Sequence, residues 1–494
     1  MKLISEKQPL AVFKEASELL NKAVAHTLGP SGANTAVVYG GVAQNDAKFQ
    51  IINDGKTIID NLTSDVAETA LAMQTIRESV LSTNSVAGDG TTSTIILINA
   101  LLKALDTDDL VEYSNFEICR RLKNIKGQLL ETVPGVTEQL SEDIPLSLIA
   151  ETSLGSPEYV DLFIKAFDFV GENGKVLLEK SDSYTPYMEE IDGISFNMFG
   201  FIPELVLNEK GMINTTLGPC DTVIETEEIE TLNFISDLLN KSKTNDRPIL
   251  LFYHKMSADV FRIMANNLLK PGSGYKLIPI SMEQCGNELV RYKKLLEIVT
   301  NKHESTDPIM KTMTKLNAIE GIIFTKDGVI IKPQSSLICT VASYISENSF
   351  NLSTKTAIIK AGAGNSILKE EIFRRFEDAI YSCTNALKYG VCTGGGTTYS
   401  LLAEVLRGKG QLGDFELPIV TAMDSIYCQL LKNCDLAVED SLYLPKLQED
   451  GSYKLDESYV IYDSITTVEQ VIINAFDMVV SIFSTNTLIC DPER

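Results

Sequence analysis

The sequence predicts a multidomain α+β protein in which a mainly helical domain is divided between the two chain ends and an α/β domain is inserted between its halves. Three observations lead to this prediction. Apolar residues recur at helical spacing in the first 135 residues and again after about residue 356. Strand-like runs alternate with helical segments between about residues 191 and 353. A length of 494 residues is typical of about three domains.

The N-terminal part contains predicted helices interrupted by glycine turns. Apolar spacing predicts a helix over residues 10–28, which ends at Gly29 and Pro30. Strand-like runs follow at 35–39 and 49–52, and Asn53-Asp54-Gly55 has the composition of a hairpin turn. A second helix is expected over about 65–85, and a third begins at Thr91.

The middle and the C-terminal part complete the pattern. Strand-like runs lie at 248–253, 275–280, 321–324 and 329–331. Helices are expected over 368–388, 397–406, 417–432 and 468–485, and three glycines at 394–396 interrupt them. The helix over 368–388 has one apolar stripe formed by Ile372, Phe376, Ile380, Cys383 and Leu387. Asp378 falls about 200° from the centre of that stripe, and by itself it is typical of a solvated charge.

Charge and composition exclude several classes of protein. The chain has 43 Lys and Arg against 67 Asp and Glu, a net charge of −24, which disfavours binding to nucleic acid and to membrane surfaces. The 44% apolar and 22% charged residues exclude wholesale disorder. Nine cysteines without a CxxC pair indicate reduced thiols, and three dispersed histidines disfavour a zinc site. No signal peptide and no apolar run of bilayer length is apparent, so we expect a cytoplasmic protein without membrane partners.

The most informative motif is GDGTTST at residues 88–94, between two predicted helices. Glycines permit close backbone approach, the N–H groups at a helix start bind phosphate, and Asp89 could hold Mg²⁺. The alternative is a structural turn with Thr91 or Thr92 as helix cap. It is not a Walker A motif, because no lysine follows the glycines. Residues 27–32 form a second candidate cradle, and a plain helix C-cap is the alternative there.

The order of these signals along the chain resembles the chaperonin family. Residues 27–32, 53–55, 87–94, 377–379 and 394–396 follow one another as the family's motifs do, over essentially the whole chain. The chain is most similar to the GroEL-type (group I) proteins, although the motifs at 53–55 and 89–93 are closer to group II. This mixture predicts a divergent member, with a virus-encoded origin, and hence a host-cytoplasm location, as an open alternative.

The resemblance implies a three-domain division. An equatorial domain would comprise residues 1–135 and 390–494, an intermediate domain 136–190 and 356–389, and an apical, substrate-binding domain 191–355.

The resemblance also implies site residues. Asp89 matches the Mg²⁺-binding aspartate, Asp378 the aspartate that orients the attacking water, and Asp54 a carboxylate beside the γ-phosphate. The positions that match the family's nucleotide contacts are Thr27, Leu28, Gly29, Pro30, Gly90, Thr91, Thr92, Ser93, Ser153, Gly395 and, with a one-residue shift, Asp463. The implied cofactors are ATP and Mg²⁺, with K⁺ as a further candidate. Because Asp378 and Asp89 would lie on different domains, hydrolysis would require hinge closure.

The implied partners are a homo-oligomeric ring, single or double, unfolded client proteins and a co-chaperonin lid. We expect client binding by apolar residues of the apical domain, although such residues are often core. The candidates are Phe201, Leu205, Val206, Phe234, Leu238, Phe261, Met264 and Leu268. The predicted function is therefore that of an ATP-driven chaperonin subunit. A ring scaffold without productive ATP cycling and a small-molecule kinase are the alternatives.

Overall fold

The structure is a computed structural model of the chain. It describes residues 2–5, 8–29, 31–39, 48–52, 54–106, 113–171, 174–207, 213, 215–300, 317–326, 328–348, 350, 352–410, 412–438, 442–448 and 453–490. The α-helices in chain order are α1 (Gln8–Val24), α2 (Gly55–Asn61), α3 (Ala67–Ala87), α4 (Thr91–Ala104), α5 (Asn115–Thr132), α6 (Leu146–Leu154), α7 (Pro157–Val170), α8 (Leu232–Thr244), α9 (Ala258–Leu268), α10 (Leu289–Val299), α11 (Ile338–Glu347), α12 (Ser366–Tyr389), α13 (Thr397–Gly408), α14 (Glu416–Thr421), α15 (Ser425–Asn433) and α16 (Ile465–Ser484).

The strands are mostly short, and many of them lie between α7 and α12. In chain order they are β1 (Lys2–Ser5), β2 (Thr35–Tyr39), β3 (Lys48–Ile52), β4 (Lys175–Lys180), β5 (Tyr187–Asp192), β6 (Ile194–Phe196), β7 (Gly200–Phe201), β8 (Thr215–Leu217), β9 (Cys220–Ile229), β10 (Ile249–Met256), β11 (Leu277–Ser281), β12 (Asn317–Ile319), β13 (Gly321–Thr325), β14 (Gly328–Lys332), β15 (Lys355–Ala361), β16 (Val391–Thr393), β17 (Leu444–Leu447), β18 (Tyr453–Asp456), β19 (Tyr462–Ser464) and β20 (Thr487–Cys490).

The chain divides into two compact units. The first comprises residues 1–164, 180–186 and 361–494, and the second comprises 165–179 and 187–360. The first unit thus contains both ends of the chain, as the periodicity predicted. The finer division into equatorial, intermediate and apical domains stays a prediction.

The first unit is built around helix α16. This helix packs against α3, α4 and α5, and α1 packs against α3 and α4. Residues spaced three and four apart on α16, such as Val468, Ile472 and Phe476, are all buried in the same apolar core. Pairs of antiparallel strands complete the unit: β1 with β20, β2 with β3, β16 with β19 and β17 with β18.

The second unit is an α/β layer structure. A five-stranded sheet has the order β12-β9-β10-β11-β7, in which β10 pairs in parallel with β9 and β11. Successive side chains of a strand point to opposite faces. On β10, Leu251 accordingly packs into the core formed with α8 and α9, and Phe252 packs into the core formed with α10 and α11. The antiparallel sheet β6-β14-β13-β8 and the three-stranded sheet β4-β15-β5 complete the unit.

Helix α16 is long and apolar enough to cross a membrane by length and composition alone, which corrects the expectation that no such segment exists. Most of its apolar window is buried inside the protein. Its neighbours α3, α4 and α5 cover it, so its apolar character is that of a core helix.

Two differences from the predicted elements concern the C-terminal helices and α12. The helix expected over 417–432 is α14 and α15 joined by one tighter 3-10 turn, Ala422–Asp424. Arg407 forms an ion pair with Asp424 at that turn. On α12, Ile372, Phe376 and Cys383 are buried as predicted, whereas Leu387 at the end of the stripe is exposed.

Phe376 on α12 offers a test of the first unit's packing. Its ring is fully buried, 5.7 Å from the ring of Tyr159 and 6.4 Å from that of Phe163. We predict that Phe376→Ala lowers the free energy of unfolding by about 3–5 kcal/mol, because it leaves a cavity. Leu387→Ala on the same helix, where the side chain is 45% exposed, is the matched control. Urea unfolding measures both, and equal effects would contradict the packing described.

Candidate functional site

The turn between α3 and α4 holds Asp89 between two glycines in left-handed conformation. Gly88 ends α3 with φ +76°, and Gly90 precedes α4 with φ +93°. A Cβ atom on Gly88 would lie 2.1 Å from Cβ of Tyr381, and one on Gly90 would lie 2.9 Å from Cγ2 of Val471. Both glycines are therefore required by conformation and by space.

The first turn of α2 meets the first turn of α4. Asp54 caps α2: its Oδ1 accepts the Lys56 N–H at 3.0 Å and its Oδ2 accepts the Thr57 N–H at 3.1 Å. A Cβ atom on Gly55 would lie 2.3 Å from Oγ1 of Thr92. The predicted hairpin turn at 53–55 is therefore wrong, because Asp54 begins a helix; Asn53 lies outside the described residues.

Helix α12 places Asp378 over the Asp89 turn. Asp378, Tyr381 and Asn385 share one face of the helix at spacings of three and four residues. Tyr381 packs on Gly88, and Nδ2 of Asn385 donates a hydrogen bond to the Ala87 carbonyl at 3.2 Å. Asp378 is half-buried, so it is not the solvated charge that its position opposite the apolar stripe would indicate alone.

The three carboxylates act on one another. Burial raises the pKa of Asp378 well above its ordinary value, and the negative charges of Asp89 and Asp54 raise it further. Lys56 is a nearby positive charge that opposes this shift. Burial also raises the pKa of Asp89, although its side chain is exposed to solvent.

Asp463, on β19 just before α16, also lies near this group. A Cβ atom on Gly394 would lie 2.9 Å from Oδ1 of Asp463, and the Gly395 N–H donates a hydrogen bond to the same carboxylate. Burial, followed by the negative charge of Asp89, raises the pKa of Asp463 to about 7. Asp463 and Gly395, both expected at the nucleotide, are therefore neighbours.

Four helices begin around this group of carboxylates. The starts of α2 and α4 touch through Gly55 and Thr92. The starts of α4 and α16 touch through Gly90, because a Cβ atom there would lie 3.0 Å from Cγ2 of Thr467. The turn that precedes α13 contacts Asp463 through Gly394. The first N–H groups of α2 are bound by Asp54, but the partial positive charge of the helix N-termini that meet here favours an anion.

The hydroxyls at the start of α4 divide into two groups. Thr94 donates to the Gly90 carbonyl and contacts Thr83, so its role is internal to the protein. The hydroxyls of Thr91, Thr92 and Ser93 form no hydrogen bond to any residue that the structure describes. They remain open to a ligand.

The second predicted cradle is held by helix α15. Nδ2 of Asn433 donates to the carbonyls of Ala25 at 2.8 Å and Leu28 at 2.9 Å. Gly29, with φ +84°, packs on Leu430, and Thr27 donates its hydroxyl to the Val24 carbonyl at 2.8 Å. The turn formed by Ala25–Thr27 packs against α4. Pro30 lies outside the described residues.

Ser153 is a predicted nucleotide contact for which the structure shows no contact with the carboxylates of the site. It is half-buried near the end of α6, which packs against α12. None of the described contacts joins Ser153 to Asp89 or Asp463.

The sequence analysis missed two residues of this region. One is Asn433, whose side chain holds the turn at 25–28. The other is Tyr399 on the first turn of α13, which is buried close to Asp463 and Asp89, and burial and both charges raise the pKa of its phenol. The run Thr397-Thr398-Tyr399-Ser400 directly after three glycines is a polar signal that could have indicated it.

The candidate client-binding residues in the second unit separate into core and surface. Val206, Leu238, Met264 and Leu268 are buried in apolar cores, so their expected display on a surface is wrong for this structure. Stripes at helical spacing on α8 and α9 face the five-stranded sheet and bury these side chains. Phe201, Leu205 and Phe234 are half-buried, and Phe261 is exposed. The exposed apolar side chains that the sequence analysis missed near α8 and α9 are Leu232, Ile263 and Leu269.

Asp463 gives a prediction with a definite sign. Its pKa is raised to about 7 in the folded protein, so its ionisation opposes folding as the pH rises through 7. Asp463→Asn removes that charge and retains an oxygen for the Gly395 N–H. The ligand-free variant is predicted to melt at a higher temperature than the wild type at pH 8, and the difference shrinks toward pH 5. A lower melting temperature at pH 8 would contradict this account. Asp259→Asn, at an exposed aspartate, is the control.

Comparisons with known proteins show similarity to one family. Residues 20–169 match the model of the TCP-1/cpn60 chaperonin family. A curated relative, chaperonin GroEL of Mycoplasmoides gallisepticum, is 25% identical over 433 residues, which cover 82% of this chain and 79% of the relative.

A solved structure has the same fold over the whole chain. Chaperonin gp146 from the bacteriophage EL 2 (Pseudomonas aeruginosa), crystallised in the presence of ATP-BeFx, matches 99% of this chain and 99% of its own. The TM-score is 0.74 for one crystal form and 0.68 for another, each at 18% sequence identity. The family match over residues 20–169 and the GroEL relative support a divergent member of the chaperonin family, and the whole chain has the chaperonin fold.

Proposed function

We propose that this chain is an ATP-hydrolysing chaperonin subunit that assembles into rings and encloses non-native proteins. The observation that carries the proposal is the meeting of Asp54, Asp89 and Asp378 where helices α2 and α4 begin. The similarity to the chaperonin family supports a chaperonin role, and members of that family are generally ATPases.

The residues fit a magnesium ion that shares its ligands with phosphate. Among the described residues, no three His, Cys, Asp or Glu side chains converge closely enough to hold a metal by themselves. Mg²⁺ in phosphate-binding sites takes one or two carboxylates and completes its coordination with phosphate oxygens and water. Asp89, which is exposed to solvent and lies near the negative charges of Asp54 and Asp378, is the carboxylate that would hold it. K⁺ remains a candidate without a residue assigned to it.

The residues also fit a nucleotide triphosphate. The N–H groups at the start of α4 and the hydroxyls of Thr91, Thr92 and Ser93 would bind phosphate oxygens. Asp463 beside Gly395 would accept a hydrogen bond from a ribose hydroxyl, and the turn at 27–29 would lie along the nucleotide.

Asp378 would orient the attacking water. Phosphoryl transfer depends mainly on positioning and on neutralisation of charge, and Mg²⁺ supplies part of that neutralisation when it is bound. The negative charge of Asp89 is one cause of the raised pKa of Asp378. Neutralising Asp89 therefore makes the ionised form of Asp378, which can accept a proton from water, easier to reach. Cation binding at Asp89 would therefore favour ionisation of Asp378, the proposed base.

Two small sheets support assembly into rings. Within the described residues, β1 pairs only with β20, and β2 pairs only with β3. Each pair thus presents outer edges with unpaired N–H and C=O groups, which can accept a further strand. A strand from a neighbouring copy would pair there. The number of subunits and a single or double ring stay open.

Client binding is proposed for the surface of α8 and α9. Phe261 is exposed there, together with the half-buried Phe234. Exposed apolar groups of this kind bind unfolded chains. The net charge of −24 would keep such a protein soluble. We propose a cytoplasmic location. Whether a separate lid protein closes the ring stays open.

The ring scaffold without ATP cycling is the rival proposal. It predicts a large particle that does not hydrolyse ATP. The three aspartates Asp54, Asp89 and Asp378 favour the active enzyme. Their negative charges repel one another, and a scaffold that does not hydrolyse ATP would have no need to keep them together.

Asp378 tests the catalytic part. We predict that Asp378→Asn retains ATP affinity within about threefold and lowers kcat by about 100-fold or more, because the group that orients the water is lost. Steady-state ATPase assays and nucleotide titration measure the two effects. Glu377→Gln changes the neighbouring exposed carboxylate and should leave both nearly unchanged. Turnover of Asp378→Asn near that of the wild type would exclude Asp378 as the base.

Ile489 tests the assembly part. It lies on β20 opposite Leu3, and its side chain is 57% exposed. Ile489→Asp is predicted to shift the particle toward the mass of a single chain in native mass spectrometry, because the charge opposes pairing of an apolar edge. Val438→Asp, at a side chain 60% exposed, is the control and should keep the large particle. Full assembly of Ile489→Asp would place the interface elsewhere.

A further inference from the structure

Two side chains of α12 join this helix to the end of α3, directly before Asp89. Tyr381 covers Gly88: a Cβ atom on this glycine would lie 2.1 Å from Cβ and 2.2 Å from Cγ of Tyr381. Nδ2 of Asn385 donates a hydrogen bond to the Ala87 carbonyl at 3.2 Å. The proposed mechanism gives neither side chain a role.

The hydrogen bond from Asn385 completes the end of α3. The last four carbonyls of a helix have no partner within the helix, so they need donors from elsewhere. Gly88 ends α3 in left-handed conformation and donates its N–H to the Asn84 carbonyl at 2.8 Å. Asn385 supplies a donor for the carbonyl of Ala87, a residue that is fully buried. The contact therefore lies at the point where the chain turns from α3 toward Asp89.

Burial in the core does not account for Tyr381. Its side chain is 45% exposed, and it lies on the side of α12 away from the buried stripe that contains Phe376 and Cys383. A large aromatic side chain in such a position buries only part of its surface. Its close packing on Gly88, where the space excludes any other residue, is what this tyrosine contributes.

Asp378 lies on the same face of α12 as these two residues. It precedes Tyr381 by three positions and Asn385 by seven, which is two turns of the helix. Asp89 is close enough to Asp378 for its charge to act on it. Because an α-helix is rigid over two turns, contacts that hold Tyr381 and Asn385 on the end of α3 also determine where Asp378 lies relative to Asp89.

A contact on the other side of Asp378 leads elsewhere. Nη1 of Arg375, three residues before Asp378, donates to the Leu154 carbonyl at 3.2 Å. Leu154 ends α6, so this hydrogen bond attaches α12 to α6 and not to the turn of Asp89. The contacts with Gly88 and Ala87, in contrast, are with the two residues that directly precede Asp89.

We propose that Tyr381 and Asn385 are positioning residues for ATP hydrolysis, which hold Asp378 where it can orient the attacking water. This inference rests on the proposed function. Neither side chain is proposed to touch the nucleotide, so its loss should lower turnover and not affinity. Misplacement of a catalytic group by about 1 Å can lower a rate about 100-fold.

Tyr381→Ala and Asn385→Ala test the inference in the full-length protein. Each is expected to lower kcat about tenfold or more in steady-state ATPase assays, because Asp378 is no longer held in place. Calorimetric titration with Mg-ADP should show wild-type affinity for both variants. Tyr381→Phe keeps the atoms that touch Gly88 and should retain wild-type kcat. Tyr389→Ala, at a tyrosine 58% exposed at the end of the same helix, is the matched control and should also retain it.

A double-mutant cycle separates positioning from a general structural role. Residues that act through one group show strongly non-additive effects. In the Asp378→Asn background, Tyr381→Ala and Asn385→Ala should therefore lower the remaining rate less than about twofold. Hydrolysis of radiolabelled ATP measures these low rates.

Three results would overturn the inference. If the wild type hydrolyses ATP and both alanine variants hydrolyse it at the same rate, the inference fails and the proposed function stands. Equal losses with and without Asp378 would show that the two side chains do not act through it. If the wild type does not hydrolyse ATP, the proposed function fails and this inference fails with it.

Discussion

Helices α2, α4, α13 and α16 begin side by side. The proposed function of the first unit depends on which ligand these neighbouring N-termini can bind. The contacts are close enough that glycine is required at Gly55, Gly90 and Gly394. The helix dipoles favour negative charge there. The protein itself supplies carboxylates, of which Asp89 and Asp463 have raised pKa values through burial. The site therefore has donors for an anion and carboxylates for a cation. A magnesium nucleotide complex contains both an anion and a cation.

A second constraint connects this site to helix α12. Gly88 has no side chain, and Tyr381 occupies the space that a Cβ atom would take. That contact, with the hydrogen bond from Asn385 to Ala87, fixes the side of α12 on which Asp378 lies. A change in the packing of α12 would therefore move Asp378 relative to Asp89. We predicted from the sequence that hydrolysis needs closure of a hinge, and in this structure Asp378 already lies near enough to Asp89 for their charges to interact.

The sequence predicted much of the architecture for reasons of periodicity. The helix periodicity of 366–389 and the alternation around β10 depend on local spacing, which a single sequence contains. The motif at 88–94 lies between two helices, as predicted, and its phosphate-binding role stays a prediction. The spacing of apolar residues in the sequence does not show which part of the protein packs against an apolar stripe. Met264 and Leu268 have the spacing of a binding surface and are buried against the sheet, whereas Tyr399 is found only from its burial and its neighbours. Asp54 was misassigned to a hairpin because capping and turn residues have the same composition.

The central claim is that the meeting of helix N-termini is a site for a magnesium nucleotide. Isothermal titration calorimetry of the purified wild-type chain with ATP, in the presence and in the absence of Mg²⁺, tests it most directly. The account predicts saturable binding at one site per chain, strengthened by Mg²⁺. Absence of binding in both conditions, or binding that Mg²⁺ does not affect, would contradict it.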